Sequence, residues 1–190
     1  IKVVENEKVL KTILDSFKKN DFSLNEWDKL IKRKIKLSKK ESFFLKKEIK
    51  YIKENWPKKL PKGIIHGDLF PDNVFFKDNN IVGIIDLSNA CNDFFCYDLS
   101  ICINAWCYEN RLNIDKMKNL IKGYNSIRKI KIQEIKYLNL FLRASSLRFY
   151  LSRLMDSQNK KIPKKYKKNP KEYLKKLKYF QVNDVNNYFL

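Results

Sequence analysis

Histidine occurs once in these 190 residues, and the four cysteines (Cys91, Cys96, Cys102, Cys107) form no CxxC pair. A zinc site, which draws on His and on paired Cys, is therefore not expected. Unpaired, buried thiols in a reducing cytoplasm are the expectation. No apolar run approaches the roughly 18 residues a spanning helix needs, so no membrane segment is expected. Ile1-Lys2-Val3-Val4 lacks the sustained apolar stretch of a secretory signal. A first residue of Ile rather than Met is the mark expected of a fragment or processed product. Acids are also scarce, 21 against 41 Lys+Arg, which leaves a net charge of +20. What is plentiful is apolar mass, 44% hydrophobic and 14% aromatic, enough for one packed core.

A charge of +20 raises a nucleic-acid or anionic-membrane partner. The detail argues against both. Lys outnumbers Arg 35 to 6, whereas readers of phosphates and base edges favour Arg forks. The charge is also uneven. Residues 64–109 hold seven acids (Asp68, Asp72, Asp78, Asp86, Asp93, Asp98, Glu109) and one base, Lys77, a balance of −6 against +26 elsewhere. That acidic island is where chemistry is expected.

Around it the chain reads as helical. Ser23 with Glu26 is a capping-box pattern that opens a helix through about Ile35. Ser38 with Glu41 repeats it, and Leu45, Ile49, Ile52 and Trp56 follow at helical spacing until Pro57 and Pro61. Three short strands are expected: Gly63 to His66, Asn73 to Lys77 and Ile81 to Ile85, the last two joined by the Asp78-Asn79-Asn80 turn. Phe94 to Tyr108 is apolar enough for a buried helix. Asn113 caps a helix to about Ser126, Gln133 to Asp156 is a long central helix, and Pro170 opens the last one. Between them, residues 158–170 form a Lys-rich solvated loop. The fold class is α+β, mainly α, with a small β-hairpin at the island.

Asp68 is followed five residues later by Asn73, and Asp86 comes thirteen residues further on, at the end of an apolar strand. This is the layout of phosphoryl-transfer sites: a loop carboxylate, an amide oxygen, then a second carboxylate returned by a hairpin. An acceptor hydroxyl needs a carboxylate to orient it and take its proton. Mg²⁺ needs hard oxygen ligands. Short Asp/Asn loops also cap ordinary turns. His66-Gly67 ahead of Asp68 and apolar strands on both sides of the loop favour the chemical reading. His66 is expected as hydrogen-bonded scaffold, and Asp98 as a buried carboxylate that accepts backbone N–H groups and braces the loop.

His66-Gly67-Asp68-Leu69-Phe70-Pro71-Asp72-Asn73-Val74-Phe75-Phe76 resembles the catalytic loop of the aminoglycoside-phosphotransferase-like, protein-kinase-like superfamily. Ile84-Ile85-Asp86-Leu87 resembles its metal-binding motif, and Tyr97-Asp98-Leu99 its following helix. Within it, Ala90-Cys91-Asn92-Asp93, Tyr97 to Cys107, Leu147-Arg148-Phe149, Ser152-Arg153-Leu154 and Pro170 to Leu177 resemble bacterial homoserine kinases. Gly67 stands where those kinases often carry Ala.

The resemblance implies Asp68 as catalytic base, Asn73 and Asp86 as Mg²⁺ ligands, ATP as donor and the side-chain hydroxyl of L-homoserine as acceptor, a step toward threonine. Arg143, Arg148 and Arg153 are then candidates for the acceptor's carboxylate. It also implies that residues 1–190 are a kinase-like C-terminal lobe. With four glycines and no Gly-rich hairpin, the nucleotide-binding N-terminal lobe is missing, and this chain alone should be weakly active or inactive. Another acceptor, such as an amino alcohol, a choline-like compound or an aminoglycoside, is the alternative within this chemistry. An inactive scaffold lobe or a basic nucleic-acid-binding module is the alternative outside it.

Overall fold

The computed structural model describes residues 27–33 and 35–189. The Ser23/Glu26 capping box lies outside the described residues. Helix α1 (Trp27–Arg33) is followed by α2 (Lys39–Glu54), whose start matches its sequence signal. Ser38 Oγ accepts the Glu41 N–H at 3.2 Å, and the Glu41 carboxylate accepts the Ser38 N–H at 2.9 Å. Such a cap stabilises a helix by about 1 kcal/mol. Leu45, Ile49 and Ile52 form its buried stripe. Trp56 does not extend that stripe. The helix ends before it, and its ring meets Phe141 edge-on at 5.1 Å.

Four short strands form two antiparallel pairs. β2 (Val74–Lys77) and β3 (Asn80–Ile84) make the expected hairpin. Asp78 and Asn79 at its turn both have positive φ, 48° and 63°, the handedness that matches strand twist. β1 (Lys62–Ile65) does not join them. It pairs with β4 (Cys91–Phe94), Lys62 opposite Phe94 and Ile65 opposite Cys91. β4 is absent from the sequence expectation because Cys91-Asn92-Asp93-Phe94 shows no apolar alternation.

The body is helical. α3 (Phe95–Trp106) is as buried as its composition requires. α4 (Ile114–Ile127) starts at Asn113, whose side chain accepts the Lys116 N–H. The expected long helix is two: α5 (Ile132–Lys136) and α6 (Leu138–Gln158). α7 (Pro170–Val182) packs along α6, with Asn169 capping it and Pro170 in its first turn. A polar seam joins α3 and α6. Asn104 donates to Ser145 Oγ at 2.8 Å and to Ser146 Oγ at 3.1 Å, and Ser100 donates to Ser145 Oγ at 3.1 Å. Buried polar groups are tolerated only when bonded in this way. The fold is thus α+β, mostly helical, with two small antiparallel sheets at one edge. Among the described residues no helix is long and apolar enough to cross a membrane.

Candidate active site

β1 delivers the chain into the 66–73 segment, which turns sharply at Gly67. Gly67 has φ 73°, and a Cβ there would meet the Asn89 carbonyl at 2.6 Å, so both conformation and space require glycine. Asp98, in the first turn of α3, accepts the N–H groups of His66 at 3.1 Å and Gly67 at 2.9 Å. Burial still pushes its carboxyl above the ordinary value; the two backbone bonds, His66 and Arg148 all pull the other way. Trp106 Nε1 holds the Leu69 carbonyl at 2.9 Å.

His66 lies across the site rather than in it. Its Nε2 is 3.0 Å from the Ile85 carbonyl, and its Nδ1 accepts the Asp68 N–H at 3.2 Å. Together these contacts require the Nε2–H tautomer. The ring therefore ties the Asp68 segment to the residue before Asp86. Asn73 Nδ2 donates to the Asp68 carbonyl at 2.8 Å, which fixes the amide. The Ile85 N–H donates to the Asn73 carbonyl at 3.0 Å, so the hairpin closes on itself beside both residues.

Asp68, Asn73 and Asp86 consequently line one polar cavity of about 270 Å³, together with Phe149, Arg153 and Asp156 from α6. A larger apolar cavity of about 520 Å³ lies under the hairpin, between Val74, Phe76, Ile84 and Trp106. It holds none of the three, so the smaller polar cavity is the candidate site.

The two facing carboxylates have opposite environments. Burial pushes Asp68 above the ordinary aspartate value, opposed chiefly by the Arg148 charge and reinforced by Asp86. Asp86 is exposed, sits at φ 61°, and is held below the ordinary value by hydrogen bonds from the Ser88 hydroxyl and backbone. The two carboxylates are thus pushed in opposite directions by their surroundings.

Of the three arginines, the structure brings only Arg153 to this cavity. Arg143 is turned away, in a bidentate pair with buried Glu48 at 2.8 Å and 2.8 Å, its guanidinium stacked over Tyr51. Arg148 is 2% exposed and lies behind the loop. It donates to the Gly67 carbonyl and, at 3.0 Å, to Asn89 Oδ1. Asn89 in turn donates to Asp68 Oδ2 at 3.3 Å. The structure does not bring Arg148 or Arg143 to this cavity: Arg148 packs on the loop, and Arg143 forms an ion pair with Glu48. Even Arg153 is already engaged, with Glu172 and the face of Tyr173.

Asn89, Asp156 and Lys168 were not anticipated from the sequence. Asn89 arrives through the left-handed turn at Asp86, and Lys168 from a Lys-rich loop, neither with a local signal. Asp156 had one: it lies three residues beyond Arg153 on the same helix.

For a divalent cation the donor set is one carboxylate and one amide oxygen. No group of three or more His, Cys, Asp or Glu positioned to hold a metal occurs among the described residues. A donor set of one carboxylate and one amide oxygen is of the kind Mg²⁺ would accept, with phosphate and water completing its shell.

Two comparisons bear on this geometry. Residues 13–128, more than half of the chain, match the phosphotransferase enzyme family. The chain is also similar to homoserine kinases: 51% identical over 111 residues to that of Rhizobium meliloti, covering 57% of this chain and 34% of the relative. The Agrobacterium fabrum enzyme is 46% identical over 132 residues, 68% of this chain and 41% of the relative. That of Bartonella henselae is 43% identical over 145 residues, 73% of this chain and 46% of the relative. The chain thus spans about a third to just under a half of the length of these relatives. With the family's match running through the loop, the hairpin and Asp86, the chain belongs to the phosphotransferase enzyme family.

Proposed function

We propose that the complete protein is a cytoplasmic, ATP-dependent kinase that phosphorylates the side-chain hydroxyl of L-homoserine, on the route to threonine. The observation that carries this reading is the convergence of Asp68, Asn73 and Asp86 on one polar cavity, with Asp68 raised and Asp86 lowered from their ordinary values. The names of the similar proteins support the acceptor.

In this reading Asp68 orients the acceptor hydroxyl and takes its proton as the oxygen attacks the γ-phosphorus. A new O–P bond forms, the bond to the β,γ-bridging oxygen breaks, and ADP leaves with that electron pair. Asp86 and the Asn73 amide oxygen would hold Mg²⁺, which neutralises charge on the transferring phosphoryl group. Arg148 and Asn89 hold Asp68 in place, and His66 and Asp98 hold the loop.

Residues 1–190 act in this proposal as the C-terminal lobe, and an N-terminal nucleotide-binding lobe completes the enzyme. Exposed apolar side chains on the hairpin support it: Phe75, Phe76, Ile81 and Val82 are each more than half exposed. Exposed apolar side chains grouped on one hairpin are what a covering segment would bury. The test is phosphorylation by the full-length protein of a panel of hydroxyl acceptors (L-homoserine, ethanolamine, choline, an aminoglycoside), with products identified by phosphorus NMR. O-phosphohomoserine as the dominant product is expected. A dominant product from another acceptor would replace the substrate, and none at all would remove the kinase reading.

A further inference from the structure

The cavity contains four carboxylates, and three of them are occupied. Asp68 accepts from Asn89, Asp86 from Ser88, and Asp72 from Lys168 Nζ at 2.8 Å. Asp156 lines the same cavity from the last turns of α6, and its carboxylate has no hydrogen-bond or ion-pair partner among the described residues. A half-buried carboxylate with no protein partner is free to accept a charge-assisted hydrogen bond from a cationic ligand.

The two cations of the cavity differ in the same way. Arg153 is buried, bonded to Glu172 and packed on the Tyr173 ring, so it cannot turn to a ligand without breaking a set of contacts. Lys168 meets Asp72 in an exposed pair, with side chains 56% and 63% accessible. Exposed pairs of this kind contribute little and exchange readily. In the same cavity Phe70 and Phe149 meet edge to face at 4.9 Å and give it an apolar surface.

We propose that Asp156 binds the ammonium group of the acceptor and Lys168 its carboxylate, with the acceptor's methylene stem against Phe70 and Phe149 and its hydroxyl toward Asp68. The cavity then selects a zwitterionic amino-acid alcohol over a simple amino alcohol or hydroxy acid. This rests on the reading of the site as a small-molecule kinase. It replaces the arginines with a different pair of recognition groups.

The test is binding to the full-length protein, followed by NMR titration with three probes: L-homoserine, 3-aminopropan-1-ol without the carboxylate, and 4-hydroxybutyrate without the ammonium. Asp156→Asn should weaken L-homoserine and 3-aminopropan-1-ol by roughly 10- to 100-fold, the worth of a charge-assisted hydrogen bond, and leave 4-hydroxybutyrate unchanged. Lys168→Gln should weaken L-homoserine and 4-hydroxybutyrate and spare 3-aminopropan-1-ol. The Asp156 carboxylate has no partner to lose, so its variant should fold as the parent does. Equal weakening of all three probes by Asp156→Asn, no weakening of any, or no binding of any probe by the parent overturns the proposal. If the pattern holds but L-homoserine is not phosphorylated, the subsite stands and the kinase reading falls.

Discussion

The helical body and the β-hairpin treat apolar surface in opposite ways. In α3 and α6 the apolar side chains are largely closed over, and most polar groups caught in the helical body are paired: Asn104 with Ser145, Arg143 with Glu48, Lys176 with Glu172 and the Asn104 carbonyl; the buried Tyr173 hydroxyl is an exception among the described residues. In the hairpin, Ile81 and Val82 are each 61% exposed. The body is built to be finished on its own terms. The hairpin presents a loop whose hydrogen bonds are finished but whose surface is not. The difference teaches where function sits: rigidity comes from the body, and the open surface is where ligand and further chain are expected.

The largest effect should come from the site itself. Asp86→Asn in the full-length protein should lower turnover by about 10³-fold, the several kcal/mol that a metal ligand supplies to the transition state. Its stability should hold, because Asp86 is exposed and bonds only locally. Steady-state kinetics beside urea denaturation separates the two. Loss of both together would make Asp86 part of the body rather than the site.

Next, Glu48→Ala should destabilise the body by about 3–5 kcal/mol, since it strands the Arg143 guanidinium in a buried setting. Val82→Ser on the hairpin should stay within about 0.5 kcal/mol in the 190-residue chain. The sharper form repeats Val82→Ser in the full-length protein. A larger cost there is expected if the proposed N-terminal lobe covers the hairpin, and an equal cost would leave the hairpin uncovered.

Burial in the body should also silence its thiols. It pushes Cys96 up to about 12 and Cys107 up to about 11. Alkylation at mildly alkaline pH should therefore run about 10²-fold slower for Cys107 and about 10³-fold slower for Cys96 in the folded than in the urea-unfolded chain, because only the thiolate reacts. Mass spectrometry of partly labelled protein reads each site. Rates equal to those of the unfolded chain would mean that α3 opens as easily as a loop.

The smallest effect is a displacement in pH. Asp68 must be ionised to accept a proton, and burial raises it above the ordinary 3.8. kcat/KM should therefore fall, as pH drops, through a value above 3.8 rather than at it. Ser88→Ala removes a hydroxyl bond that lowers Asp86, so Asp86 should move up while the acid limb stays with Asp68. An acid limb that follows Ser88→Ala would transfer the titration to Asp86.

The parts of this molecule legible in the sequence are those set by neighbours in the chain. The Ser38/Glu41 cap, the Asp78-Asn79 turn and the apolar composition of α3 each depend on a few adjacent residues. The Asp68, Asn73 and Asp86 spacing is of the same kind, because a hairpin of fixed length carries one end back to the other. What was not legible depends on distant partners. β4 exists because β1 lies beside it, although the two are about 30 residues apart. Arg148 looked like a ligand group, and only packing shows its guanidinium spent on Gly67 and Asn89. The charge of Lys168 was visible, but its place opposite Asp72, 96 residues away, was not.

The most direct measurement is turnover of L-homoserine and ATP by the full-length protein carrying Asp68→Asn, set beside its urea midpoint and that of the parent. A fall in kcat of about 10²- to 10⁴-fold with an unchanged midpoint is the predicted result. A rate within a few-fold of the parent, with fold intact, would contradict the assignment of Asp68 as the base and with it the site described.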